Sequence, residues 1–183
     1  MKISYAIPVC NEHVELEKLL DLLENHIQVE DEIVVQCDKG NTTPEVYKVL
    51  DSLNQSYIEF PLDGHFSNFK NNLKEHCTGD WIFQIDADEL PHEFLITNLK
   101  ELLKLNTTTE MLLVPRVNTV EGLTQEHVNK WRWNVNEKGW VNWPDYQTRI
   151  IQNGSKIKWQ NKVHEQIVGI STKGALPMEE EWC

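Results

Sequence analysis

Residues 81–89 read WIFQIDADE: an apolar run, Trp81 to Ile85, of the kind that forms a buried strand, delivering Asp86, Asp88 and Glu89 at its C-terminal end. Open α/β sheets bind their ligands at that end of their strands. Asp86 and Asp88 stand two residues apart, so an extended backbone would turn both to one face, and a turn after the strand would let both reach one divalent cation. Clustered carboxylates repel, and a metal relieves them most simply. A plainer reading stays open at this point: Asp-Ala-Asp-Glu ends a strand and caps a helix opening at Pro91, because acidic residues favour helix N-termini.

A chain of 183 residues can build one domain with a substantial core and is short for two. Its formal net charge of −12, from 29 acidic against 17 basic residues, disfavours a surface that holds nucleic acid or anionic lipid by general electrostatics. An anionic substrate would need a local exception, such as a cation. No run reaches the length of a membrane span, and the amino terminus MKISYAIPVC passes into patterned sequence without a signal-peptide cleavage region. Cys10, Cys37, Cys77 and Cys183 lie far apart with no C-x-x-C pair, so neither a zinc site nor a disulfide framework is indicated. A soluble protein of the reducing cytoplasm is the expectation.

Apolar or β-branched runs recur at Ile3–Val9, Glu32–Cys37, Tyr57–Leu62, Trp81–Ile85 and Met111–Val117, with helical patterns in most of the gaps. That alternation is the signature of βαβ units, whose right-handed crossovers place helices over both faces of a mostly parallel sheet. The first helix carries Val14, Leu16, Leu19, Leu20 and Leu23 among charged residues, with Asn11 as its expected cap; Thr43-Pro44, Ser67 and Pro91 are expected to open three more, running through Leu53, about His76 and Leu105. After Val117 the character changes. Residues 118–145 hold Trp131, Trp133, Trp140 and Trp143 in polar surroundings without a clean helical period, and Gln147–Gln152 and Lys156–Val163 alternate about Asn153-Gly154, a hairpin signal. The last residues, EEEWC, are expected to be loose or truncated.

Three further clusters fall where such a sheet would bring them near Asp86. Pro8-Val9-Cys10-Asn11-Glu12 breaks a strand at a helix N-terminus, a turn whose free backbone N–H groups can cradle a nucleotide. Asp38 closes the strand EIVVQC before Lys39-Gly40; it is placed to accept from a base N–H or a ribose hydroxyl, and equally to organise a turn. Lys162-Val163-His164-Glu165 is expected on the final strand, where His164 supplies a neutral nitrogen ligand and Glu165 points to the opposite face. A lone strand histidine is as readily a structural residue.

In order, IPVCNE, DEIVVQCDKGNTTPE, FKNNLKEHCTGDWIFQIDADELP, YQTRII and KIKWQNKVHE resemble the family-two glycosyltransferases of GT-A fold, in particular a short bacterial and phage-type branch with a DADE motif and a terminal VHE. The resemblance runs from about Ile3 to Val168. It implies an α/β fold of GT-A type, a Rossmann-like, mostly parallel sheet flanked by helices with a small C-terminal antiparallel hairpin. It implies a single domain over residues 1–183, with a nucleotide-sugar-binding part at 1–117, an acceptor-side Trp-rich loop and hairpin at 118–170, and a tail at 171–183. On the matching positions, Pro8, Asn11 and Glu12 would line the nucleotide pocket, Asp38 would meet the base, and Lys70-Asn71 would lie close to the nucleotide. Asp86 would sit near ribose and metal, Asp88 would be the direct metal ligand, and His164 a late ligand for metal or diphosphate. The chain departs from the family pattern at Asp38, followed by Lys-Gly where many relatives have Asp-Gly-Ser, and it has no clear Glu-Asp base motif or Gln-x-x-Arg-Trp acceptor motif.

Sugar transfer from a nucleoside diphosphate leaves negative charge on the diphosphate, which a divalent ion held by Asp88, Asp86 and His164 would neutralise. Mixed oxygen and imidazole ligation favours Mn2+ over Mg2+. The inverting displacement that the resemblance implies needs a base for the acceptor hydroxyl; Asp145 and Glu165 rank level, with Glu89 third, and pairing with Arg149 would make Asp145 a poorer base. The tryptophans would form an acceptor wall, with several filling a small second core beneath the loop. The expected activity is transfer from a nucleotide sugar, foremost a UDP-sugar, to a hydroxyl acceptor such as a glycan. The alternatives are a nucleotidyltransferase, which would want a Gly- and Arg/Lys-rich phosphate loop that Pro8–Val14 lacks, and a catalytically silent nucleotide-sugar- or carbohydrate-binding module.

Overall fold

The computed structural model describes residues 1–183. Each apolar run becomes a strand and each amphipathic stretch a helix: β1 (Ile3–Val9), α1 (His13–His26), β2 (Glu32–Asp38), α2 (Pro44–Ser52), β3 (Tyr57–Phe60), α3 (Phe66–Glu75), β4 (Trp81–Gln84), α4 (Glu93–Leu105) and β5 (Met111–Asn118). Then come α5 (Gln125–Trp131), β6 (Val141–Gln152), β7 (Lys158–Gln160), β8 (Gln166–Val168), β9 (Lys173–Ala175) and a 3-10 turn at Glu180–Trp182. Seven strands form one mixed sheet in the order β3-β2-β1-β4-β6-β5-β9. β1 is parallel to both β2 and β4, whereas β6 runs antiparallel between β4 and β5.

β1 is buried on both faces, as a central parallel strand should be. Ile3, Tyr5, Ile7 and Val9 point into the larger core with Leu16, Leu19, Leu20 and Leu23 of α1, Leu50 of α2 and Leu95 and Leu99 of α4. Ala6, on the opposite face, packs in a second cluster with Leu73 of α3, Ile82, Met111 and Ile151. The strand order reverses at β1: the chain moves outward to β2 and β3, then returns to β4 on the other side. A crevice opens at the C-terminal ends of strands at such a reversal, here between Val9 and Gln84.

Polar clamps hold the opposite, N-terminal edge. Glu32 at the start of β2 accepts from Lys2 Nζ (2.7 Å), Ser4 Oγ (2.5 Å) and the Thr78 backbone N–H (2.6 Å), tying β1, β2 and the approach to β4 together. Lys100 of α4, 6 % exposed, reaches Asp31 (2.8 Å) and Glu30 (2.7 Å) and anchors the α1–β2 loop.

The C-terminal third departs from the sequence expectations. The hairpin about Asn153-Gly154 does not form: β6 stays in the main sheet, and the small antiparallel hairpin is β7 with β8. Asn153 instead docks the chain on the β4 approach, its Nδ2 donating to the carbonyls of Cys77 and Gly79 (2.9 Å each). Residues 162–165 form the bend between β7 and β8 rather than a strand, with His164 at φ +53. The Trp-rich stretch contains α5, opened by a capping box of Thr124 and His127. None of its four tryptophans is buried, so no second core forms beneath it. The tail is packed: β9 pairs with β5, Leu176 is buried, and Trp182 meets Phe94 edge-on at 5.1 Å. Helix starts also shift, and at α3 and α4 histidine side chains supply the cap, while the α1 N-cap makes no side-chain capping bond. Glu12 is the N-cap of α1, not Asn11; His65 Nδ1 accepts from Asn68 N–H at α3; and α4 opens at Glu93 with His92 as cap. No helix is long and apolar enough to cross a membrane.

Candidate active site

The first wall of the crevice is the turn from β1 into α1. Its backbone N–H groups are not free: the Glu12 carboxylate accepts from both Cys10 and Asn11 N–H at 2.9 Å, filling the concavity with a negative charge. Asn11 is exposed beside it. The second wall is the end of β2. Asp38, 5 % exposed, accepts from Leu62 N–H (2.9 Å) and Asn41 Nδ2 (3.0 Å), and its backbone carbonyl accepts from the N–H groups of Asn41 and Thr42. It therefore organises the turn after β2 while lining the cleft.

α3 contributes Lys70 and Asn71, which part company. Lys70 turns into the cleft, forms a short ion pair with Glu165, and lies 4.5 Å from the centroid of the Trp159 ring. Asn71 bonds both backbone groups of Trp159, donating to its carbonyl (2.9 Å) and accepting from its N–H (2.8 Å). It acts as a bracket fastening β7 to α3.

The third wall follows β4. The backbone turns tightly after Ile85, with Glu89 N–H donating to the Asp86 carbonyl at 2.9 Å. The three carboxylates of this turn meet different fates. Asp86 accepts from Arg149 Nη2 at 2.8 Å. Glu89 takes Arg149 in a two-pronged grip, at 2.8 Å from Nε and 2.6 Å from Nη2, and also pairs with Arg116 at 3.2 Å. Burial works to raise the Glu89 pKa, but the charges and hydrogen bonds of Arg149 and Arg116 outweigh it and hold the carboxyl below its ordinary value. Asp88 alone forms no ion pair. Partial desolvation against the cleft wall raises its pKa, although much of the side chain meets solvent, and the charges of Asp86, Glu89 and Glu12 push the same way.

The ion pairs continue beyond Glu89. Arg116 reaches Asp145 at 2.5 Å through Nη2, and Asp145 also accepts from Asn118 Nδ2 (3.0 Å) and Gln147 Nε2 (2.8 Å). The partner of Asp145 is thus Arg116, not the Arg149 considered from sequence. Partial burial would raise the Asp145 pKa, yet the bonds from Asn118 and Arg116 prevail and lower it. Glu165 behaves alike: burial opposes its charge, and Lys70 outweighs the burial and lowers the pKa.

Three adjoining cavities result. A cleft of about 330 Å3 brings together Pro8, Glu12, Asp38, Lys70, Asp86, Asp88 and Glu165, seven residues drawn from five separate parts of the chain. Asp86 and Asp88 form the ridge to a second cavity of about 420 Å3, bounded by Glu89, Arg116, Asn118, Gln147 and Arg149. Lys70 and Glu165 form the ridge to a third of about 350 Å3, which Trp159 also lines. Asn11, Asn71, Asp145 and His164 line none of the three. No three His, Cys, Asp or Glu side chains are clustered as a metal cage. Arg116 is the residue that sequence reasoning missed; its sole signal was a cation within the apolar strand Met111–Asn118.

A family model described as Glycosyl transferase family 2 matches residues 4–164. No curated protein matches the chain by sequence. Among solved structures, S. aureus TarS 1–349 superposes with TM-score 0.56 at 17 % identity, covering 68 % of this chain and 38 % of that one. Glucosyl-3-phosphoglycerate synthase from Mycobacterium tuberculosis, in complex with UDP, gives TM-score 0.58 at 17 % identity over 83 % of this chain and 57 % of that one. The same synthase with Mn2+ and UDP-glucose gives 0.56 at 16 % identity, over 83 % and 56 %. The likeness is one of fold, and this chain spans well under two thirds of either relative.

Proposed function

This chain belongs to glycosyl transferase family 2, and on that premise we propose that it is a metal-dependent, inverting glycosyltransferase that moves a sugar from a nucleoside diphosphate, foremost UDP, to a hydroxyl acceptor such as a glycan. The carrying observation is the cleft at the β1–β4 reversal, where Asp88 stands without a cationic partner, its pKa raised by partial desolvation and by the carboxylates around it. A group in that position gains most from a divalent cation.

The donor set fits one. Asp88, with Asp86, offers hard oxygen ligands on the ridge between cleft and acceptor side, and cations in nucleotide sites are commonly bound by one or two carboxylates completed by phosphate oxygens and water. Such an ion supplies Lewis-acid neutralisation of the departing diphosphate. His164, exposed on the β7–β8 bend, would complete the set if that bend closes over the donor, and its imidazole would favour Mn2+ over Mg2+. Asp38, already fixed by Leu62 and Asn41, keeps oxygen lone pairs for the nucleoside. Lys70 faces the cleft where phosphate charge would lie, and Arg149 holds Asp86 in place.

Of the two base candidates, Glu165 lines the cleft and Asp145 stands behind the acceptor-side cavity through Arg116, Asn118 and Gln147. Both are held below their ordinary pKa, Asp145 by bonds from Asn118 and Arg116 and Glu165 by Lys70. That observation favours a second reading, a silent nucleotide-sugar-binding module. One assay separates these readings and a nucleotidyltransferase: incubation with a panel of nucleotide sugars and Mn2+ should release UDP. Binding without turnover would support the silent module, and pyrophosphate release the nucleotidyltransferase.

A further inference from the structure

Trp140 and Trp143 flank the first residues of β6 and meet edge-on with ring centroids 5.0 Å apart. With Met178, Asn136, Lys138 and Glu180 they line an open groove of about 620 Å3 that the donor cleft does not use. The presentation is built rather than incidental. Asn136 Oδ1 accepts from Lys138 and Trp140 N–H at 3.0 Å each, and Val135 bridges to Val141, so a tight turn sets Trp140 at the rim. Lys138 Nζ stands 4.4 Å from the Trp140 ring centroid and pairs with Glu180 at 2.5 Å, tying that turn to the 3-10 turn of the tail.

The groove adjoins the acceptor-side cavity through two elements. The 3-10 turn that brings Glu180 to the groove is followed at once by Cys183 on the cavity wall. Val141, next to Trp140, pairs in the sheet with Asn118, another residue of that wall. Half-exposed aromatic rings beside amide, ammonium and carboxylate groups suit a ligand with both apolar CH faces and many hydroxyls. Two carboxylates, Glu137 and Glu180, face a single ammonium, Lys138, which Glu180 already pairs, so the groove offers no attraction for an anion. We propose that this groove is an accessory subsite for an uncharged oligosaccharide, taking the sugar units beyond the one that receives the transfer and making the acceptor a chain of sugars rather than a monosaccharide or small acid. The inference rests on the glycosyltransferase reading for the acceptor's role, while the groove's binding is testable by itself.

The test uses the full chain on an array of neutral and acidic glycans one to six units long, with UDP affinity measured separately by calorimetry in Mn2+. Neutral oligosaccharides of three or more units should be retained by the wild type. Retention should fall about tenfold in Trp140→Ala and in Trp143→Ala, and less in Trp143→Phe, which preserves an aromatic face; UDP affinity should not move. Unchanged glycan retention in both alanine variants would overturn the subsite, as would preference for acidic glycans or for single sugars. Failure of UDP to bind, with glycan retention lost in the variants, would sink the transferase reading and leave the groove as a carbohydrate site.

Discussion

Asp86, Asp88 and Glu89 are three acids in four residues, and the structure gives each a different electrostatic task. Glu89 is neutralised by two guanidiniums, Asp86 is shared between Arg149 and the cleft, and Asp88 is left to repel its neighbours. Asp88→Ala is therefore expected to abolish metal-dependent donor binding while leaving the melting temperature unchanged or raised, read by calorimetry with UDP and Mn2+ and by thermal denaturation. Asp86→Ala should weaken binding less and cost about 1–2 kcal/mol of stability, because Arg149 loses one partner and keeps Glu89. The base question belongs at the same scale. If Glu165 takes the acceptor proton, Glu165→Gln should lower turnover at least about a hundredfold with donor affinity retained, whereas Asp145→Asn should act mainly by loosening Arg116. Loss of turnover in Asp145→Asn alone would reverse the assignment.

Among the elements, β1 is decisive: its apolar face joins α1, α2 and α4, its other face packs under α3, and its two parallel neighbours define the crevice. Glu32 guards the far end of that strand set. Partial burial would raise its pKa, but bonds from Lys2, Ser4 and Thr78 lower it to about 2. A carboxyl depressed in the folded state stabilises the fold above its unfolded pKa and loses that contribution as pH falls through the folded value. Stability should therefore decline between about pH 4.5 and pH 2, by an amount on the order of 2–3 kcal/mol from this group. Urea denaturation across that range should show a shallower acid limb in Glu32→Gln, which would start from a lower plateau at neutral pH. Identical limbs would remove Glu32 from the account.

For the molecule as a whole, a net charge of −12 sets the problem of holding a diphosphate. Lys70, Arg116 and Arg149, the cations of the cavities, are each already paired with carboxylates, so long-range attraction for an anion is weak and the proposed donor would need a counterion at the cleft. UDP alone is expected to stabilise the protein little, and UDP with Mn2+ or Mg2+ substantially. At a hundredfold excess over the dissociation constant the gain is about 2.7 kcal/mol, a rise of roughly 5–10 °C in melting temperature for a chain of this size. An equal shift with and without the metal would remove the cation from the site.

The amino-acid sequence by itself determined the order and placement of β1–β5 and of their helices, because those elements are written in short-range periodicity and in residues at their ends. It also marked the strand-end carboxylates, since the C-terminal edge of a parallel sheet is a place that pattern alone locates. The tertiary structure decided the rest. Whether β6 would make a hairpin with β7 or enter the main sheet depended on the edges that β4 and β5 left open, which no local alternation records. Which acid keeps a free charge depended on Arg149 and Lys70 arriving from positions 60 and 95 residues distant from Glu89 and Glu165. Such pairings follow from sheet register and helix packing summed over the whole chain, so they exist only once the fold has closed.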